Sequence, residues 1–383
     1  MGERGFFLTE REKLTKIESR KEVYSMRKQS LLLTAALLLC LTACGSSGEP
    51  TQAPDPTPTP TVEATPEPTP YNGPENPLTG LPIDEEDVNK RPVAVMLNNL
   101  EEAQPQLGQS EADIIYEVLA EGGITRMLGV FQNIEDVEKI GSVRSARPYY
   151  LELALGHDAI FLHAGGSEDA YAKVKEWKVT ALDCVRGGYE GTQEGGNLFW
   201  RDAQRIKENG KVHSVVTTGE AFTQWVPDSI RREHGEDYSY PQAFLEDGTP
   251  KGESAVTIQV PYSHYKTGTF TYDETTGTYA VSQYGSAYVD GNTGEQVTVT
   301  NVLVVKTDCH VIPGDTAGRL SVDLTSGGEG YYACGGAFIP IRWEKESRNQ
   351  PFMYYTEAGE PLSLGRGTSY VSIVPENCNV TFE

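Results

Sequence analysis

Three arginines raise the question of chemistry. Arg126 ends the stretch Gly122-Gly-Ile-Thr-Arg126, and Arg144 and Arg147 stand three apart in Gly141-Ser-Val-Arg-Ser-Ala-Arg147. The arginine guanidinium is a planar fork of N–H donors, suited to gripping phosphate or carboxylate at two points. Ser145 lies between the second and third arginines. A helix starting at Ala146 would add backbone N–H groups to the same positive pole. Arg201, Arg205, His163 and His213 are further candidates to line a polar or anionic pocket once the chain folds over. The competing expectation is that internal carboxylates, Glu117, Glu121 or Asp158, close these arginines into ion pairs.

Catalytic constellations are thinner. Glu117 and Asp158 are candidate acid/base groups for glycan cleavage, with Glu121 beside them. That chemistry needs two carboxyls at a defined separation, which spacing along a chain does not supply. His157 and His163 flank a strand next to Asp158, but their spacing matches no metal-ligand motif, so no metal or other cofactor is expected. There is no Gly-x-Ser-x-Gly elbow for a serine nucleophile. Cys309-His310 and Cys334 are the available thiols, and a Cys/His pair needs proximity in space rather than in sequence. His163-Ala-Gly-Gly-Ser167 would end a strand and open a helix. Glu168 and Asp169 then occupy the first helical positions and would repel a phosphate, which favours Ser167 as a simple N-cap. The balance points to a binding protein rather than an enzyme.

The elements that must position these groups can be read from periodicity. Pro92–Leu97 is an unbroken apolar run of the kind that forms a strand buried on both faces. Further strands are expected at 114–119, 126–131, 159–162 and 213–216, with helices over 146–155, 168–178, 199–207 and 218–225. Strands alternating with helices argue for an N-terminal α/β domain with a mixed sheet. From Ala255 onward the pattern changes to short alternating strands, the longest at 297–305, 331–341 and 370–374. Two turns, Asp273-Glu-Thr-Thr-Gly277 and Asp290-Gly-Asn-Thr-Gly294, read as hairpin turns with the Asp bonded to its own backbone and the Gly left-handed. They lack the ligand density of a calcium loop. The fold class expected is α+β, with an α/β domain at 73–245 followed by a mostly-β domain at 246–383.

Charge and termini bound the rest. The chain has 383 residues and a formal charge of −23; residues 1–43 hold 8 of its 32 basic and 5 of its 55 acidic side chains, which leaves −26 on the remainder. So acidic a body repels nucleic acid at long range, and none is expected as a partner. Met26-Arg-Lys-Gln-Ser30 is a basic n-region, Leu31–Leu39 an apolar h-region too short to span a bilayer, and Leu41-Thr-Ala-Cys44 resembles a bacterial lipobox. Residues 26–44 are therefore read as a lipoprotein signal, with cleavage before Cys44, lipid on its sulfur, and an extracytoplasmic, membrane-anchored protein as the product. Residues 1–25 are charged and read as an upstream extension, with Met26 as the true start. Residues 45–72, rich in Pro, Thr and Glu, read as a semi-rigid spacer. Cys184, Cys309, Cys334 and Cys378 allow three disulfide pairings or none.

Several motifs together carry a resemblance. Asn76-Pro-Leu-Thr-Gly80, Arg91-Pro-Val-Ala-Val-Met-Leu-Asn-Asn99, Ala112-Asp-Ile-Ile-Tyr-Glu117, Gly122–Arg126, Gly141–Arg147 and His163–Ser167 look like the YerB-type lipoproteins, the DUF3048 family. Phe270–Gly277, Asn301-Val-Leu-Val304, Ala337–Lys345 and Leu364-Gly-Arg-Gly367 extend the match through nearly everything after residue 75. The resemblance implies a two-domain bacterial lipoprotein with no established activity, and it transfers no catalytic residues. One departure is visible: a Pro-His-Asn type of segment is expected near His213, and here it reads Lys211-Val-His-Ser214. The expected function is binding of a polar or anionic cell-wall ligand through Arg126, Arg144 and Arg147. The alternatives are an envelope enzyme acting on peptidoglycan or a lipid-linked glycan precursor, and a structural partner of a membrane protein complex.

Overall fold

The run Val93–Asn98 is apolar without alternation because both of its faces are covered. Val93, Val95 and Leu97 point into one apolar core, and Ala94 and Met96 into the other. This strand, β1, lies inside an 11-stranded sheet. The computed structural model describes residues 72–383; the signal, Cys44 and the spacer expected before them lie outside the described residues.

The other strands of this sheet are β2 (Ile114–Leu119), β3 (Thr125–Phe131), β4 (Ile160–His163), β5 (Ala181–Asp183), β6 (Glu253–Ser254), β7 (Asn301–Thr307), β8 (Gly328–Cys334), β9 (Ala337–Glu344), β10 (Met353–Thr356) and β11 (Ser369–Pro375). Their order is β6-β9-β8-β7-β11-β2-β3-β1-β4-β5, with β10 paired to the hairpin strand β9. β1, β4 and β5 run parallel, as do β2, β11 and β7, while β3 is antiparallel to both β1 and β2. One face packs on the helices α1 (Pro148–Gly156) and α2 (Glu168–Glu176), through Tyr149, Tyr150, Leu153 and Ala170. The other packs on a smaller antiparallel sheet built around 257–261, 267–273 and 278–283, through Ile258, Val260, Phe270 and Val281. The fold is α+β, with a mixed sheet in the N-terminal part and a strand-rich C-terminal part.

The two halves meet within the large sheet. β2 pairs with β11 in parallel register from Ile114 opposite Ser369 to Val118 opposite Ile373. Near the expected division, Phe244–Leu245 pairs with Leu364–Gly365. The hairpin turns form as expected, with Gly277 and Gly294 left-handed at φ +71° and +75°. Asp290 has a second task. Its carboxylate accepts from the Gly108 and Ser110 amides and the Ser110 hydroxyl, so a turn of the second half fastens a loop of the first.

Two expected elements are corrected. The helix expected over 199–207 starts only at Ala203, because the Asp202 side chain caps it by accepting from the Arg205 amide; Arg201 sits instead on the short strand Trp200–Arg201. The strand expected over 331–341 is two strands, β8 and β9, because Gly335 and Gly336 take φ +58° and +78° and turn the chain back.

A shared sheet makes the halves interdependent. Residues 72–245 expressed alone should show no cooperative urea transition, since β2 keeps β3 but loses β11 and with it the rest of the large sheet. Co-expression with residues 246–383 should restore one transition followed by circular dichroism.

Candidate functional site

The register of the sheet gathers the expected site residues at one end. Asn98 closes β1 opposite Arg126 at the start of β3, and Leu119 closes β2 opposite Thr125. β4 and β5 run parallel to β1, so His163 and Asp183 finish at the same end. The segment Val143–Arg147 is laid across these strand ends. The Arg144 amide donates to the Met96 carbonyl at 2.9 Å, the Ala164 amide to the Arg144 carbonyl at 3.0 Å, and the Ala146 amide to the Gly165 carbonyl at 2.9 Å. The carboxyl ends of parallel strands are where open α/β sheets build their binding sites.

The arginines divide into a closed pair and an open one. Arg126 and Arg147 both reach Glu121. Arg126 Nη2 donates to Glu121 Oε1 at 2.7 Å, Arg147 Nε to Oε2 at 3.1 Å, and Arg147 Nη2 also to Oε1. Burial by itself would raise the Glu121 pKa, but the Arg126 and Arg147 guanidinium groups outweigh it and hold the carboxyl at about 2. Arg144 has no carboxylate partner among the described residues. It donates through Nη1 to the Val212 carbonyl at 2.8 Å, and its buried Nε finds no acceptor among them. Burial, and then the neighbouring charge of Arg126, push its pKa down to about 10.

Arg144 lines a cleft of about 280 Å³ with Arg201 and Lys211, walled by Val143, Ala164, Val185, Val212 and Val215. Arg201 is partly neutralised, with Nε 2.9 Å from Glu190 Oε1. Lys211 has no carboxylate partner among the described residues, and sequence analysis missed it; one lysine in an ordinary polar stretch carries no local signal.

The remaining candidates are fastened to the scaffold. Ser145 donates its hydroxyl to the Ala164 carbonyl at 3.1 Å. Burial lowers the His163 pKa, and its Nδ1 lies 2.8 Å from the Gly165 carbonyl, as a donor. Asn98 Nδ2 donates to His213 Nδ1 at 2.8 Å, so the ring proton sits on Nε2. Arg205 spends its guanidinium on the carbonyls of Ala103, Pro105 and His213. Ser167 is the N-cap of α2, accepting from the Ala170 amide.

Both carboxylates considered as acid/base candidates lie elsewhere. Glu117 has no exposure to solvent. It forms an ion pair at 3.1 Å with Lys266, itself fully buried, and accepts from Asn99, Thr125 and Tyr370. Burial opposes its ionisation, but Lys266 and these donors outweigh burial and hold its pKa low. Asp158 precedes β4 and so sits at the opposite, amino end of that strand, held by Arg231 at 2.9 Å, His234 at 3.1 Å and Arg91 at 3.3 Å. Neither pairs with Arg126, Arg144 or Arg147, which corrects that expectation; of the three carboxylates expected to close the arginines, only Glu121 does so. The thiols are unpaired, and burial raises the pKa of Cys184 and Cys309 to about 12 and that of Cys378 to about 11. His310 bonds Asp308 rather than Cys309.

Comparisons with known proteins agree with one another. Residues 78–229 match the model of the DUF3048 N-terminal domain and residues 258–371 that of its C-terminal domain, both described as of unknown function. The chain belongs to the DUF3048 family. A relative from Bacillus subtilis (strain 168), named "Putative lipoprotein YerB", is 34% identical over 305 residues, 78% of this chain and 86% of its own. The crystal structure of the YerB protein from Bacillus subtilis superposes with a TM-score of 0.67 at 29% identity, covering 80% of this chain and 99% of that one. The resemblance drawn from the motifs is thus shown. In this DUF3048 chain, the segment joining the two matched regions, residues 230–257, contributes β6 to the shared sheet.

Glu117→Ala should lower unfolding stability by about 3–5 kcal/mol in urea titrations, because it strands a buried ammonium; Glu117→Leu with Lys266→Met should recover most of that loss. Glu121 has a folded pKa of about 2, below its ordinary value of 4.5. Its contribution to stability should therefore be complete above pH 4.5 and disappear as pH falls through 2, and Glu121→Gln should remove that slope.

Proposed function

We propose that this DUF3048 chain is an extracytoplasmic lipoprotein, anchored through lipid on Cys44, whose folded part binds a polar or anionic cell-wall-related ligand in the Arg144–Arg201–Lys211 cleft. The observation that carries the reading is the state of Arg144. It is a half-buried guanidinium with one backbone acceptor, a buried and unpartnered Nε and no carboxylate among the described residues. Leaving a buried donor unsatisfied costs about 1–3 kcal/mol. An anion in the cleft would relieve the repulsion of Arg144 by Arg126 and Arg147. In a chain of net charge −23, a local excess of cations also draws an anion to one place.

Binding is favoured over catalysis here. Glu117 is sealed and ion-paired, Asp158 stands at the other end of the sheet, and the thiols are held protonated by burial. The closed pair Arg126–Arg147 on Glu121 is the feature that supports a structural role, as in a partner of a membrane complex.

Thermal unfolding of residues 72–383 against inorganic phosphate and a panel of muropeptides tests the cleft. A ligand of the native state raises the midpoint, and Arg144→Ala should abolish the shift while leaving the unliganded midpoint nearly unchanged. A shift that survives in Arg144→Ala would remove the cleft from the reading. For the anchor, Cys44→Ser should lose labelling by radioactive palmitate and move the protein from the membrane fraction to the medium.

A further inference from the structure

Glu121 behaves like a bound carboxylate that happens to belong to the chain. It enters from the solvent side, with its side chain 23% exposed against 6% and 9% for Arg126 and Arg147. Both its oxygens are taken by guanidinium forks, the arrangement in which arginine grips a carboxylate or phosphate ligand. It sits at the head of a tight glycine turn, Glu121–Gly123, closed by the Ala120 amide on the Ile124 carbonyl. Gly122 and Gly123 follow it, at φ +69° and +77°, and a side chain built at Gly122 would meet nothing within 4 Å. The Gly122 carbonyl is tied to the exposed Tyr265 hydroxyl at 2.6 Å.

The arginines, by contrast, do not need Glu121 to stay in place. Arg126 Nη1 donates to the Ser145 carbonyl at 3.3 Å, and Arg147 Nη1 to the Ala146 carbonyl at 2.7 Å. Both are thereby fixed to the segment that carries Arg144, and the charges of all three act on one another. One carboxylate faces three guanidinium groups, so the cluster keeps an excess of positive charge even with Glu121 docked.

We infer that Glu121 is a displaceable latch occupying the place of an anionic group of the ligand, and that the complete site takes a diphosphate-type ligand: one anionic group on Arg144 in the cleft, its neighbour on the Arg126–Arg147 fork. The inference rests on the cleft proposed above as the binding site. A ligand with two joined anionic groups displaces the latch where a single phosphate does not, because its second group arrives already tethered. The carboxylate then swings out on the Gly122-Gly123 loop, and the arginines keep their backbone acceptors throughout. The apolar wall, with Val185 and Val212 at 56% and 62% exposure, leaves room for an apolar substituent on the diphosphate.

Isothermal titration of the folded chain tests this with inorganic phosphate, pyrophosphate, a nucleoside diphosphate and a short isoprenoid diphosphate, on wild type, Glu121→Gln, Glu121→Ala and Arg144→Ala. Pyrophosphate should bind wild type about tenfold or more tightly than phosphate. Glu121→Gln should raise phosphate affinity by about tenfold, since the competing charge is gone. Pyrophosphate should also raise the melting midpoint of Glu121→Ala more than that of wild type, by supplying the missing anion. Should Glu121→Ala fold only when pyrophosphate is present, that restoration supports the latch equally. Anion binding to Glu121→Gln but not to wild type would mean a tightly closed latch and supports it too. If wild type binds anions through Arg144 but folded Glu121→Gln binds them no better, the latch is overturned and the cleft stands. If neither protein binds any of the four anions, both readings fall. Tighter binding of the isoprenoid than of the nucleoside diphosphate would assign a lipid-linked source, and the reverse order a soluble one.

Discussion

A carboxylate and an ammonium with no exposure to water sit 3.1 Å apart where the two halves of the chain meet. Neither ion is tolerable alone in that position. Removing each from water costs several kcal/mol, recovered only if the pair is close and its remaining sites are satisfied. Glu117 comes from β2 in the first half, along with the Asn99 and Thr125 that donate to it; Lys266 and Tyr370 come from the second. The Lys266 ammonium lies over the rings of Tyr284 and Tyr262, at 4.8 Å and 5.6 Å, which offer it π density where water is excluded. The pair fixes how β2 seats against the turn before strand 267–273 that carries Lys266, since a displacement would leave two buried charges uncompensated, and the Tyr370 hydroxyl ties the same carboxylate to β11.

That constraint explains why the arginine cluster can exist in the same molecule. Glu117, four residues from Glu121, is fully committed to Lys266 and so cannot neutralise the arginines nearby. Asp158 is likewise committed, at the amino end of β4. Of the many carboxylates in an acidic chain, Glu121 alone reaches the cluster among the described residues. The positive charge at the strand ends survives because the nearest alternative partners are occupied by stronger local demands.

The family gives this arrangement its setting without supplying a role. The chain is shared over most of its length with a Bacillus subtilis lipoprotein-named relative whose structure has the same fold. The two family regions are successive in sequence yet contribute to one sheet, so they are two segments of one folding problem. A loop of the second region, at Asp290, holds the Gly108–Ser110 loop of the first in place. The arginine segment 140–147 follows close by in the same half, and its Gly141 amide and carbonyl both bond to Leu107.

Much of this was legible from residue order, because it rests on local physics. The strands near 93, 114, 126 and 160 follow from apolar runs and β-branched content, the cap at Ser167 from a hydroxyl ahead of a helical segment, and the turns at Gly277 and Gly294 from Asp and Gly spacing. The importance of Arg126, Arg144 and Arg147 was also visible, as cations among small residues. Where the local signals competed, order failed. The Asp202 cap cut short an expected helix, and a glycine pair split an expected strand. What only the tertiary structure decided is partnership. Glu117 meets a lysine 149 positions away, Asp158 is turned to the far end of its strand, and Glu121 closes two arginines while leaving a third open beside Lys211. Such choices depend on distance in space and on burial, which set the cost of an unpaired charge, and neither quantity is carried by the neighbours of a residue along the chain.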